Sequence, residues 1–316
     1  MSRDAVESEI TLEERALVPG GRATLRFRTT ALEPVRIRGA HVSFVGYEET
    51  KAVYTTSTGK TTTTQTATER NVLVEERMTF QGRAPQGFFH NVADGARTLL
   101  GGGEHVQLPT GSHEVVLEVA LPADLPESFA GKKVKVVYEA AIHLDIPAGR
   151  DFRHTVEFAV PAAAHDEEPR AEPLSIRYPE DSGRGFFDSV FGPDIAMRTN
   201  LSSLVVRRGG SLSGELEVRS PDKSANVEAI VCRLIRRESS MAQRHKDRHA
   251  ETIVTERLPQ QPGAANSLYT SFELRVPDVM IPSCSGANFT LAHELAVSLD
   301  VPWAKDPTVR IPITVV

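Results

Sequence analysis

The second half of the chain repeats the first, and that duplication restricts the folds open to it more than any other feature. LEVALPADLPESFAG (residues 117–131) returns as FELRVPDVMIPSCSG (residues 272–286). VKVVYEAAIHLDIP (134–147) returns as FTLAHELAVSLDVP (289–302), and the offset stays at 155 with no gap. Each copy then closes on an alternating segment, HTVEFAV (154–160) and VRIPITV (309–315). A further match joins GGRATLRFR (20–28) to GGSLSGELEVR (209–219). Solenoid units are shorter than this, so a repeat of this size means duplicated domains. The polar, Pro- and Ala-rich run PAAAHDEEPRAEP (161–173) has no periodicity and marks the boundary. The expected domains are residues 1–163 and 174–316, with a linker at 164–173.

Within each copy the apolar residues recur every second position, the pattern of half-buried strands. Val115, Leu117, Val119 and Leu121 share one face, with Glu114, Val116 and Glu118 on the other. Val134, Val136, Tyr138, Ala140, Ile142 and Leu144 do the same against Lys133, Lys135 and Glu139, and this strand is expected to be central in its sheet. Phe152, His154, Val156, Phe158 and Val160 form a third such row. Helical spacing of comparable length is absent, so the chain is expected to be all-β.

Of the 316 residues 40% are hydrophobic and 25% charged, enough to bury two ordinary cores. The formal net charge of −6 argues against nucleic acid as a partner, since phosphate neutralisation needs a basic face. The N-terminal MSRDAVESEITLEER has no apolar run, so no secretory leader is expected, and no stretch approaches the roughly 20 apolar residues of a membrane helix. Cys232 and Cys284 are then expected as thiols in a cytoplasmic protein.

The run LPTGSHEVVLEVALPADLPESFAGKKVKVVYEAAIHLDIP (108–147) resembles the arrestin N-terminal domain. An LP-x-G turn precedes a strand, then come LP-x-x-LP-x-SF, a strand carrying Tyr, and an acidic residue with proline. Residues 276–316, with their closing IPI strand, resemble the end of the arrestin C-terminal domain. The resemblance implies two tandem immunoglobulin-like β-sandwiches and a scaffolding role. Arrestins, retromer's arrestin-fold subunit and bacterial sporulation-control relatives share that role. It does not carry over receptor-phosphate sensing, because the paired basic residues of an arrestin's first strand are replaced by the acidic VESEITLEER (6–15).

Catalytic chemistry finds little to use. Gly59-Lys60-Thr61 suggests a P-loop, but Tyr54 stands where its first glycine belongs, so a polar threonine hairpin is expected. His293 falls on the inward face with Phe289, Leu291, Leu295 and Val297, at the place of Tyr138 in the first copy, and is expected as a core ring hydrogen-bonded at its edge. His245 and His249 would make a metal pair only on a helix, and a loop is expected there. Ser128 and Ser283 have no nucleophile elbow and no plausible base and carboxylate nearby in sequence, Cys232 reads as buried, and Cys284 as more exposed. No cofactor, metal or enzymatic activity is expected.

Two features exceed these bland readings. RLIRRESSMAQRHKDRHAE (233–251) sets Arg236, Arg237, Arg244, Lys246 and Arg248 against few acids. It is either a solvated hairpin tip or a contact for an anion, an acidic peptide or an anionic membrane surface. Two Gly-Phe-Phe segments, 86–103 and 183–195, hold Phe88, Phe89, Phe186, Phe187 and Phe191 outside any alternating strand. These either form short helices against their own sandwich or insert into a partner groove or membrane. The leading expectation is a protein-binding adaptor, ahead of a peripheral membrane protein and a carbohydrate-binding or enzyme-accessory module. A single tryptophan, Trp303, argues against the last.

Overall fold

The computed structural model describes residues 5–80, 106–147, 150–161, 174–178, 195–219, 227–259, 261–262, 267–302 and 306–316. Among these there is no α-helix, and the chain divides into two compact units. The first comprises Met1–Glu49 and Glu69–Ala164, the second Thr50–Thr68 and His165–Val316.

Ten strands arise in the first half: β1 (Val6–Leu12), β2 (Arg22–Ala31), β3 (Val35–Ile37), β4 (Gly39–Ser57), β5 (Thr62–Phe80), β6 (Val106–Leu108), β7 (Gly111–Ala120), β8 (Phe129–Ala130), β9 (Val134–Asp145) and β10 (Phe152–Phe158). They form a sheet β1-β2-β7, a sheet β10-β9-β4-β5 with β8 on β9, and a small β3-β6 ribbon. The second half adds β11 (Leu174–Tyr178), β12 (Ala196–Leu201), β13 (Val205–Val206), β14 (Ser211–Arg219), β15 (Ala229–Ala242), β16 (His245–Leu258), β17 (Gln261–Pro262), β18 (Ser267–Arg275), β19 (Cys284–Ser285), β20 (Phe289–Asp300) and β21 (Thr308–Val315). Their sheets run β11-β12-β14-β18-β17 and β13-β21-β20-β15-β16, with β19 on β20. Both units are β-sandwiches.

The alternation seen in sequence is the alternation of burial. Val134, Val136, Tyr138, Ala140, Ile142 and Leu144 are all buried, and β9 lies between β10 and β4 as a central strand must. Leu25, Phe27, Leu117 and Val119 bury the facing sheet. In the second unit Leu212, Leu216, Phe272 and Leu274 join Cys232, Leu234, Leu295 and Ile311 in one core.

The 155-residue offset survives atom by atom. Ser128 N–H donates to Val160 O at 3.0 Å while Ser128 Oγ accepts from Val160 N–H at 3.1 Å. Ser283 and Val315 repeat both bonds at 2.8 and 3.0 Å. Asp151 Oδ1 accepts from Ile146 N–H, and Asp306 Oδ1 from Val301 N–H. The pairs Phe129–Val136 and Cys284–Leu291 open equivalent short ribbons. The earlier match holds too: Gly20 and Gly209 occupy the left-handed region at φ 76° and 72°, which favours glycine, and each sits in the same turn before its strand.

Candidate functional site

The basic segment is the tip of the β15–β16 hairpin. Its register pairs Ala242 with His245, Met241 with Lys246 and Ser239 with Arg248, leaving Gln243 and Arg244 as a two-residue loop. Both have positive φ, 49° and 69°, the backbone that a right-handed twist asks of a tight hairpin. Gln243 Nε2 donates to Thr68 O at 3.3 Å, tying this strained loop to the threonine-rich segment Thr50–Thr68.

That segment belongs to the second unit and clasps the hairpin from one side. Thr50 Oγ1 donates to Met241 O at 2.9 Å, and Ser240 Oγ donates to Lys51 O at 2.7 Å. Asp247 Oδ2 accepts from Val53 N–H at 2.8 Å. The Tyr54 ring stacks on the His245 ring, centroids 3.6 Å apart and planes 3° from parallel. Ala52, Ala67 and Ala242 close a small apolar seam between them. Such small side chains let two hairpins approach closely enough for these backbone bonds.

Alternation along β16 then sorts its side chains. His245 and Asp247 face the clasp. Lys246 and Arg248, two residues apart, fall on the opposite face and are exposed, with Arg244 exposed at the loop. Among the described residues these three cations make no ion pair. The loop expected around His245 and His249 is instead strand, because the register continues unbroken to the two-residue turn. Positions four apart on a strand are about 13 Å apart, too far to share a metal.

The two remaining arginines are differently placed. Arg237 grips Glu294 through Nε and Nη2 at 2.6 and 2.8 Å, and Arg310 binds the same carboxylate. Burial pushes the Glu294 carboxyl up, but these two guanidinium groups outweigh it and hold it below the usual range. Arg236 is mostly buried, its Nη2 lying 2.8 Å from Glu251 and 3.3 Å from Glu238, which is 1% exposed. The five cations thus divide into two committed to carboxylates and three presented outward. Phe88, Phe89, Phe186, Phe187 and Phe191 lie outside the described residues.

Other sites marked in the sequence resolve into structure. Cys232 is fully buried, which pushes its thiol up to about 12, and Cys284 is half-buried; neither is in a disulfide. The Gly59 hairpin is solvent-exposed, with Gly59 at φ 77°. His293 is 2% exposed, with Nδ1 2.9 Å from Ser283 Oγ and Arg236 opposite it on β15. Burial first, and the Arg236 charge second, push its imidazole down to about 4 from 6.5.

A histidine neutral when folded penalises the folded state in acid. Its contribution is intact above pH 6.5, where the unfolded ring is also neutral, and declines as pH falls from 6.5 towards 4. The loss is on the order of 3 kcal/mol. Chemical denaturation at pH 7, 5.5 and 4 is expected to show this decline, and His293→Gln to flatten it. Equal slopes for the two proteins would contradict this account.

Comparison with known families gives two matches in tandem. The model for the arrestin (or S-antigen) N-terminal domain matches residues 40–165, and that for the C-terminal domain matches residues 194–316. A search of the curated proteins returned no match.

Proposed function

Because this chain belongs to the arrestin-like family, whose domains serve in general as protein-binding adaptors, we propose that it is a non-catalytic cytoplasmic scaffold that binds an acidic protein segment through the β15–β16 hairpin. The observation that carries this reading is the unneutralised row of Arg244, Lys246 and Arg248 on a hairpin braced from its other face. A chain of net charge −6 that gathers Lys246 and Arg248 on one strand face and Arg244 at the adjoining loop, with no ion pair among the described residues, has a local potential opposite to its overall one. The strand backbone is already ordered before binding, so only side-chain freedom is lost, and an extended acidic peptide can meet every second residue.

Arg244→Glu, Lys246→Glu and Arg248→Glu together are expected to reduce capture of partners from native lysate at least about ten-fold while leaving the melting temperature unchanged. Undiminished capture would sink the proposal. An anionic membrane surface would use the same cations, with the Gly-Phe-Phe segments as its apolar contact. Sedimentation with anionic vesicles tests it separately: binding by the wild type, lost in the triple variant, would replace the peptide reading with the membrane one.

A further inference from the structure

In the first unit, β5 ends its sheet: the order is β10-β9-β4-β5, and no described strand pairs with its outer edge. Edge strands are usually short or interrupted, since a long open edge is a template for pairing with another chain. β5 runs for 19 residues without a proline. Within the first unit it carries the sequence ERNVLVEER over residues 69–77, and Val72 at its middle is 52% exposed.

That nine-residue sequence is complementary to itself. Set two copies antiparallel about a two-fold axis at Leu73, and Glu69 faces Arg77, Arg70 faces Glu76, and Val72 faces Val74. Each pair occurs twice by symmetry. Slide one copy by a single residue and the match is lost: one direction puts Glu69 opposite Glu76, offsetting an Arg70–Glu75 pair, and the other puts Arg70 opposite Arg77. Directly opposed charges on neighbouring strands attract when unlike and destabilise when like, so the sequence selects this one register. Arg70 is held in place from within its own chain: Nε bonds Glu49 at 2.8 Å and the guanidinium lies 4.6 Å from the centroid of the Tyr47 ring. Its terminal amino groups remain for a carboxylate across the edge.

We propose that β5 is the dimerisation edge of this protein, and that a second copy adds to it antiparallel about Leu73. The interface is isologous, as a closed two-fold dimer requires, and it joins two sheets into one continuous sheet.

Sedimentation velocity of the full chain over a dilution series tests this. The wild type is expected as a species of twice the 34.5 kDa chain mass that dissociates on dilution. Glu76→Arg, which opposes Arg70 twice, and Arg77→Glu, which opposes Glu69 twice, are each expected to weaken the dimer about ten-fold or more, with unchanged thermal melting. Glu69→Arg combined with Arg77→Glu restores the complement and is expected to recover the wild-type affinity. A wild type that stays monomeric up to about 100 μM overturns the proposal, as does a dimer indifferent to both single reversals. A charge-swapped double no tighter than Arg77→Glu alone overturns the register.

Discussion

Replacing Tyr138 by alanine is expected to destabilise the N-terminal sandwich by about 3–5 kcal/mol, the range for deleting a large buried aromatic. Tyr138 is fully buried on the central strand β9, its hydroxyl donates to Pro126 O at 2.7 Å, and its ring stacks at 6.4 Å from Phe44. The ring also lies against Gly46, where an added Cβ would come within 2.5 Å of it. Bare backbone forms one wall of the space this side chain leaves, so no side chain at Gly46 can move in to fill it. Tyr138→Phe keeps the ring and forfeits one hydrogen bond, so about 1 kcal/mol is expected. Urea unfolding of both variants measures the difference. A loss below about 1 kcal/mol for the alanine variant would show that the ring is not part of the core.

A comparable loss is expected in the second unit from Arg236→Ala, again about 3–5 kcal/mol, for an electrostatic reason. Glu238 is 1% exposed, with the Arg236 Nη2 3.3 Å away, near enough for charge attraction but not aligned as a hydrogen bond. Removing the cation leaves a buried carboxylate without it. Replacing both residues by leucine removes charge and countercharge together, and most of the lost stability is expected to return. If the double variant is no more stable than Arg236→Ala, the loss arises from packing of the arginine stem rather than from removal of the countercharge.

How much of this was legible beforehand depended on the range of the interactions. The β9 and β20 faces could be read because burial on a strand writes itself into every second residue, and the duplication supplied a second copy to check it against. The inward place of His293 followed from the same alternation. What Arg236 and Arg237 hold could not be read. Glu294, the partner of Arg237, is 57 positions away on a neighbouring strand, and nothing local distinguishes a cation with such a partner from Arg248, which has no ion pair among the described residues. The clasp of Thr50–Thr68 on the basic hairpin left even less trace. It rests on backbone carbonyls, three alanines and one stacked ring, so TTSTGKTTTTQT (55–66) shows no apolar rhythm that would have betrayed a docking face. Tyr54 and Asp247 are therefore the site residues that the sequence concealed.

The clasp also sets a timetable for synthesis. Tyr54 leaves the ribosome some 190 residues before His245 does. At about 5–20 residues per second, the nascent threonine segment waits on the order of 10–40 s for the surface it will cover. An apolar segment held unpaired for that interval would invite association with neighbouring nascent chains. Threonine, serine, glutamine and lysine stay hydrated until the later hairpin emerges, which gives a translational reason for a segment so polar to have so structural a destination.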